Sequence, residues 1–258
     1  MSEGATSPIR QIRRVARLLS KKSFGTFAEK VQQNMIVPIF KPIGPTSFNI
    51  IAQVKKVTGI KKVGHAGTLD PLAEGILVVG IGRESTRKLF AELEKEKEYE
   101  TLIELGKTST TDDSEGEKTI QKVSRVPQVS RVSQALKQFI GEIWQMPPQY
   151  SAVKSGGVES YKNARKGKKT ILGKRQVLIK DIEILNYSWP FLKLKVITGP
   201  GVYIRSLARE LGEQLKTGGY VKELKRTRVG EYTINDAKTV DSLKTLNFDT
   251  IRGDAQIK

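Results

Sequence analysis

The run Gly64-His65-Ala66-Gly67-Thr68-Leu69-Asp70-Pro71-Leu72-Ala73, followed by Gly75-Ile76-Leu77-Val78-Val79-Gly80-Ile81-Gly82, constrains this chain more than any other segment. Glycines loosen the loop, Pro71 fixes the backbone after Asp70, and an apolar run of strand length comes next. One carboxylate is therefore held rigidly in a turn at the mouth of a buried strand. Rigidity and partial shielding from water are what turn a weak carboxylate into a useful nucleophile. An Asp-Pro pair taken alone is more often a turn that caps a strand, so other segments have to support the functional reading.

Charge is the second constraint. Lys and Arg number 45 against 27 Asp and Glu, a formal net charge of +18. The excess is clustered: residues 1–34 carry net +5, residues 154–176 net +7 and residues 216–228 net +4. A surface charged only for solubility mixes both signs, whereas clustered cations bind a polyanion by counterion release. Nucleic acid is the expected partner. The chain has no cysteine, which excludes disulfides and thiolate chemistry, and its single histidine, His65, argues against a histidine metal site. No apolar run approaches the roughly 20 residues that span a bilayer, so a soluble protein without membrane partners is expected.

Residues 1–34 read as a basic arm, helical or disordered. Ile9, Ile12, Val15, Leu18 and Leu19 lie among Arg10, Arg13, Arg14, Arg17, Lys21 and Lys22, the pattern of a short basic amphipathic helix. The preferred reading is an arm that touches RNA phosphates, with an inert tail as the alternative. No secretory signal is expected. A cytoplasmic location follows, with organellar targeting by the basic segment left open.

From Ile36 the punctuation is that of an α+β domain. Lys41-Pro42-Ile43-Gly44-Pro45-Thr46-Ser47 predicts a turn into a helix that Gly59 ends. Tyr99, Thr101, Ile103 and Leu105 alternate with Glu98, Glu100 and Glu104 as in a strand with one wet face. Residues 108–117 read as a solvated acidic turn, Asp112 and Asp113 included. Val132, Leu136, Phe139 and Ile140 form a core helix stripe closed by Gly141. Residues 176–186 and 191–198 read as strands. Gly199-Pro200-Gly201 launches a helix with Ile204, Leu207, Leu211 and Leu215 on one face, and Tyr203 and Arg205 at its start can both face a cleft.

These segments, in this order and spacing, resemble the TruB family of tRNA pseudouridine synthases. The resemblance rests on residues 64–73 with Gly75, on Lys97-Glu98-Tyr99, on residues 199–205, on Leu224-Lys225-Arg226 and on the opening Lys41-Pro42 motif. Residues 106–116 and Pro147-Pro148-Gln149-Tyr150-Ser151-Ala152-Val153-Lys154 are similar to further family motifs. The match covers about residues 36 to 235. It implies a pseudouridine synthase fold: a mixed, largely antiparallel central sheet flanked by helices and loops, with a thumb-loop insertion over about residues 150–175. Three regions follow: the arm, a catalytic domain over 35–235, and a short C-terminal tail over 236–258 with no room for the PUA-type RNA-binding domain often appended in the family.

The resemblance also implies the chemistry. Asp70 is the catalytic nucleophile, Arg205 its cationic partner, and Tyr99 packs on a flipped-out uracil and helps deprotonate the rearranged intermediate. Substrate binding falls to His65, stacked in the RNA loop, and to Tyr203, Leu224 and Lys41, the last supporting the active-site loop. Lys222, Lys225, Arg226 and Arg228 line the RNA groove. Neither cofactor nor metal is expected. The implied substrate is the uridine at position 55 in the T-loop of tRNA, turned over by a monomer that needs no protein partner. Two alternatives stand beside this reading: a non-catalytic tRNA-binding or tRNA-folding protein on the same scaffold, and a guide-RNA-dependent synthase of the Cbf5 kind. A two-carboxylate hydrolase is disfavoured, because no second carboxylate accompanies Asp70 in these motifs.

Overall fold

Strand alternation and glycine punctuation resolve, in a computed structural model, into one large sheet with helices on its faces. The structure describes residues 35–151, 153–155, 157–164, 166–168, 170–246 and 248. The expected basic arm over 1–34 lies outside them, as do residues 249–258 of the expected tail.

The strands are β1 (Met35–Lys41), β2 (Val63–Ala66), β3 (Ala73–Ile81), β4 (Lys97–Leu105), β5 (Lys107–Ser109), β6 (Lys118–Ile120), β7 (Gly141–Gln145), β8 (Lys154–Ser155), β9 (Val158–Glu159), β10 (Arg175–Ser188), β11 (Phe191–Thr198), β12 (Gly219–Val229) and β13 (Tyr232–Thr233). The helices are α1 (Ser47–Thr58), α2 (Arg83–Leu93), α3 (Val129–Lys137), α4 (Ser160–Ala164) and α5 (Ile204–Leu215). The sheet runs β1-β3-β12-β4-β11-β10-β7, with β2 on β3 and β13 on β12. Its pairings are antiparallel except for β12 on β3, so the expected mixed, largely antiparallel sheet is what forms.

That one parallel pairing places the site. β12 pairs Leu224, Lys225 and Arg226 with Ala73, Glu74 and Gly75, and on its other edge pairs Arg226 with Tyr99. The strand after the Asp70 turn thus lies beside the strand carrying Leu224 and one strand away from the one carrying Tyr99. Gly75 is required at this seam: it sits at φ +115°, and a Cβ there would meet the Arg226 carbonyl oxygen at 2.2 Å.

α1 begins where the turn predicts. The Thr46 hydroxyl accepts from the Asn49 backbone N–H, the Asn49 side chain accepts from the Thr46 N–H, and Gly59 ends the helix at φ +72°. Its first residue, Ser47, is buried, accepts from the Leu69 N–H at 2.8 Å and donates to the Leu69 carbonyl at 2.9 Å. The start of the helix is therefore fastened to the residue preceding Asp70.

Residues 150–175 leave the sheet as the small hairpin β8–β9 followed by α4. The excursion is closed at its base by Gln149, whose side chain donates to the Thr170 carbonyl at 3.0 Å and accepts from the Thr170 N–H at 2.9 Å.

Two local expectations change. α3 ends at Lys137, and Gly141, at φ +103°, opens β7 instead of closing the helix. Glu104 does not share the wet face of its strand: it is buried, accepting from Tyr220, Lys107 and Lys222. In the C-terminal segment, residues 236–246 and 248 pack against the sheet and α1. The Lys238 N–H donates to the Pro38 carbonyl, and Leu243 and Phe248 join the core with Val37, Ile39 and Ile50.

Candidate active site

Asp70 stands at the end of the glycine loop between β2 and β3, and its side chain keeps 33 % of its surface open while protein closes around it. Arg205, in the first turn of α5, is buried and comes to it from the far side of the chain: its Nε lies 2.9 Å from Asp70 Oδ2. That Nε–H has no well-aligned acceptor, so the contact is a close ion pair and not a directed hydrogen bond. The rest of the guanidinium is fixed. Nη1 donates to the Thr111 carbonyl at 3.2 Å and lies 3.4 Å from Asp113 Oδ2, and Nη2 donates to the Tyr150 carbonyl at 2.9 Å.

Asp113 is the functional residue that sequence reasoning missed. The acidic turn is solvated only in part, with Glu115 and Glu117 exposed: Asp113 is 2 % exposed, accepts from the Thr111 hydroxyl and from the Glu115 N–H, and forms the inner half of the Arg205 pair. Asp112 is engaged too, bonded to Arg209 one helical turn beyond Arg205. A second carboxylate thus does accompany Asp70, but it is sealed from substrate and holds the guanidinium. The two arginines, four residues apart on one helix, facing two adjacent aspartates were the signal present in the sequence.

Electrostatics at Asp70 are contested. Burial pushes its carboxyl above the usual range, Arg205 opposes this, Asp113 adds to it and Lys41 opposes it; the net direction is upward. Lys41 is fully buried, and its Nζ donates to the Pro42 carbonyl at 2.8 Å and the Pro71 carbonyl at 3.4 Å. It braces the two loops that meet at Asp70-Pro71 and presents nothing to a substrate. Burial, partly offset by Asp70, lowers its pKa to about 8.

The remaining residues line the crevice or support it. Tyr99, 7 % exposed, belongs to the apolar cluster that also contains Leu69, Leu72, Ile204 and Leu224. Tyr203 caps the start of α5 with extended backbone and is clamped by Gln145, which accepts from its N–H at 2.8 Å and donates to its carbonyl at 3.1 Å. Its phenol is pushed up, first by burial. His65, on β2 opposite Val79, is half-buried, and burial followed by the Arg226 charge lowers its pKa. The structure therefore brings Asp70 against Arg205 and gathers Tyr99 and Leu224 in the apolar cluster with Leu69 and Ile204, with Tyr203 at the start of α5, His65 four positions before Leu69, and Lys41 bonded to the Pro71 carbonyl.

The third basic island does not form the expected open groove. Lys222 pairs with Glu104, Lys225 with Glu74 and Arg228 with Glu96, while Arg226 is 1 % exposed and faces the underside of the catalytic loop. Strand alternation sends Leu224 and Arg226 inward together.

Comparison with known proteins identifies the family. The profile described as "TruB family pseudouridylate synthase (N terminal domain)" matches residues 55–204, and that of the "tRNA pseudouridylate synthase B C-terminal domain" matches residues 205–255. The chain is 40 % identical over 216 residues to tRNA pseudouridine synthase B of Thermobifida fusca (strain YX), covering 81 % of this chain and 73 % of that protein. It is 39 % identical over 214 residues to tRNA pseudouridine synthase B of Chlamydia pneumoniae, covering 83 % and 90 %. Among solved structures, a chain of a Cbf5-Nop10-Gar1 complex superposes with a TM-score of 0.64 at 30 % identity, over 87 % of this chain and 60 % of that one. A chain of an H/ACA RNP bound to a substrate RNA containing 2'-deoxyuridine gives 0.62 at 26 %, over 90 % and 58 %. With a family profile over more than half its length and relatives near 40 % identity along most of it, the chain belongs to the TruB family of pseudouridylate synthases.

Proposed function

We propose that this chain isomerises uridine to pseudouridine in tRNA, at the T-loop uridine numbered 55, with Asp70 as nucleophile. The observation that carries the reading is an Asp70 carboxylate that keeps a third of its side-chain surface exposed while its Oδ2 lies 2.9 Å from a buried guanidinium. Arg205 and Lys41 favour the ionised form that the reaction requires, against the burial that opposes it.

The uracil N1–C1′ bond breaks with its electron pair leaving on N1, and Asp70 Oδ1 meets the cationic C1′. The base turns in place between Tyr99, Tyr203 and Leu224. C5 then bonds C1′ and releases the carboxylate, the C5 proton departs with help from the Tyr99 phenol, and N1 takes up a proton. Product and substrate are isomers, so no co-reactant is consumed. Attack on C1′ and removal of the 2′ proton of the sugar both begin from the same ionised Asp70. A uridine inside a folded loop reaches such a crevice only by leaving its stack, and an aromatic face holding it is worth about 1–3 kcal/mol per base. The exposed cations of residues 154–176 and the arm over 1–34 supply phosphate contacts that place the RNA and read little sequence. The protein acts as a monomer without a guide RNA or protein partner.

Incubating purified protein with an unmodified tRNA transcript, followed by carbodiimide mapping, tests this directly. A single stop in the T-arm is expected, and Asp70→Asn abolishes it while tRNA binding persists. Activity that appears only with a guide RNA and protein partners would transfer the chain to the mode of assembly named for the Cbf5 complex. Product at another site overturns the T-loop assignment. If deleting residues 1–33 changes neither tRNA affinity nor its salt slope, the arm has no such role.

A further inference from the structure

Arg226 is a buried cation that the reaction does not use. It is 1 % exposed, and among the described residues it has no carboxylate partner. Instead its Nε donates to the Ile76 carbonyl of β3 at 2.8 Å, and its Nη2 donates to the Gly67 carbonyl of the catalytic loop at 2.9 Å. A neighbouring buried cation, Lys97, is satisfied the same way, donating to the Leu93 and Lys95 carbonyls at 2.7 Å. Burying a guanidinium without an anion is unfavourable unless strong dipoles are aimed at it. Both carbonyls are therefore held as firmly as they hold the charge.

We propose that Arg226 is a positioning residue that ties the Gly67 carbonyl to β3 and thereby fixes where the Asp70 carboxylate stands. The inference rests on reading Asp70 as the nucleophile. Gly67 precedes Asp70 by three residues, and between them Leu69 is locked by both bonds to Ser47. The loop is thus pinned at Gly67 from below, at Leu69 from α1, and at Asp70 itself by Arg205. Gly67 lies at φ +78°, and a Cβ there would stand 3.3 Å from Arg226 Nη1, so loop and guanidinium are fitted to each other. Lysine cannot replace this arrangement, because a single ammonium does not span two carbonyls on different elements as a planar fork does.

Displacement of a reacting group by about 1 Å can cost about 100-fold in rate. Arg226→Lys and Arg226→Met are expected to lower kcat by about 10- to 100-fold while KM for tRNA stays within about twofold, the pattern of lost alignment and not of lost binding. Hydrogen exchange should quicken at the amides of residues 65–70, while the β12–β4 ladder stays protected. Gly67→Ala keeps the charge but pushes the loop off the guanidinium, and should reproduce the same split and the same exchange signature. Unchanged kcat, or unchanged loop protection, in a folded variant overturns the proposal, as does an activity loss that merely tracks the unfolded fraction. Where the Arg226 variants do not fold, Gly67→Ala decides on the same criteria. The exchange measurement reports on the loop even if the wild type forms no pseudouridine, which separates failure of this inference from failure of the functional reading.

Discussion

Replacing Glu104 by glutamine removes one negative charge from a buried cluster outside the crevice and leaves the shape unchanged. Glu104 lies on β4, five residues beyond Tyr99, and its carboxylate accepts from Lys107 at 2.8 Å, Tyr220 at 2.6 Å and Lys222 at 3.0 Å. Burial alone would raise its pKa, but the three donors win and hold it at about 2 instead of the ordinary 4.5. A depression of that size corresponds to about 3 kcal/mol of coupling at neutral pH, at about 1.4 kcal/mol per pKa unit. Both lysines are 39 % exposed at the side chain, so solvent screens part of this, and about 2 kcal/mol is the expected loss. For a domain of this size that lowers Tm by roughly 4–8 °C.

The sign fixes the pH window. A depressed carboxylate contributes its stability above the unfolded value near 4.5 and loses it as pH falls through about 2. The Tm difference between wild type and Glu104→Gln, followed by circular dichroism, should therefore be full at pH 7, less than half as large near pH 3, and smaller still below. Turnover at 25 °C should be unaffected at pH 7, since no part of the cluster faces the crevice. A gap that is absent at pH 7, or as large at pH 3 as at pH 7, would refute the reasoning.

Other perturbations act on the crevice itself. Arg205→Met leaves Asp70 and Asp113 without their shared cation and should cost about 3–5 kcal/mol at pH 7; urea titrations should show the deficit shrinking as pH falls and the carboxylates take up protons. Because the Asp70 pKa is raised, the acid limb of kcat/KM should lie above the unperturbed 3.8, with activity present above that limb and lost below it. Lys41→Met removes one of the cations that pull the Asp70 pKa down, so the limb should move to higher pH; a limb that stays in place would separate Lys41 from the electrostatics of Asp70.

What could be read directly from the chain is what depends on near neighbours. The cap at Thr46, the stop at Gly59, the alternation over residues 99–105 and the Asp70-Pro71 turn before β3 are governed by local dihedrals and by spacing along one element. The resemblance named Asp70, Arg205, Tyr99, Tyr203 and Leu224; the fold pairs Asp70 with Arg205 and packs Tyr99 with Leu224 in one cluster. Strand register over long separations decided the rest. Glu104 meets Tyr220 across 116 residues, Arg205 reaches Thr111 across 94, and Arg226 reaches Gly67 across 159. A charge in a linear sequence reads as solvated, because nothing nearby marks it for burial. Glu104 and Arg226 became interior groups only when the β3–β12–β4 pairing laid partners against them, and Asp113 and Lys41 only when α5 and the Pro71 loop closed on them. The carboxylate proposed as nucleophile was legible in one loop, whereas the charges that hold it in place exist only in the assembled fold.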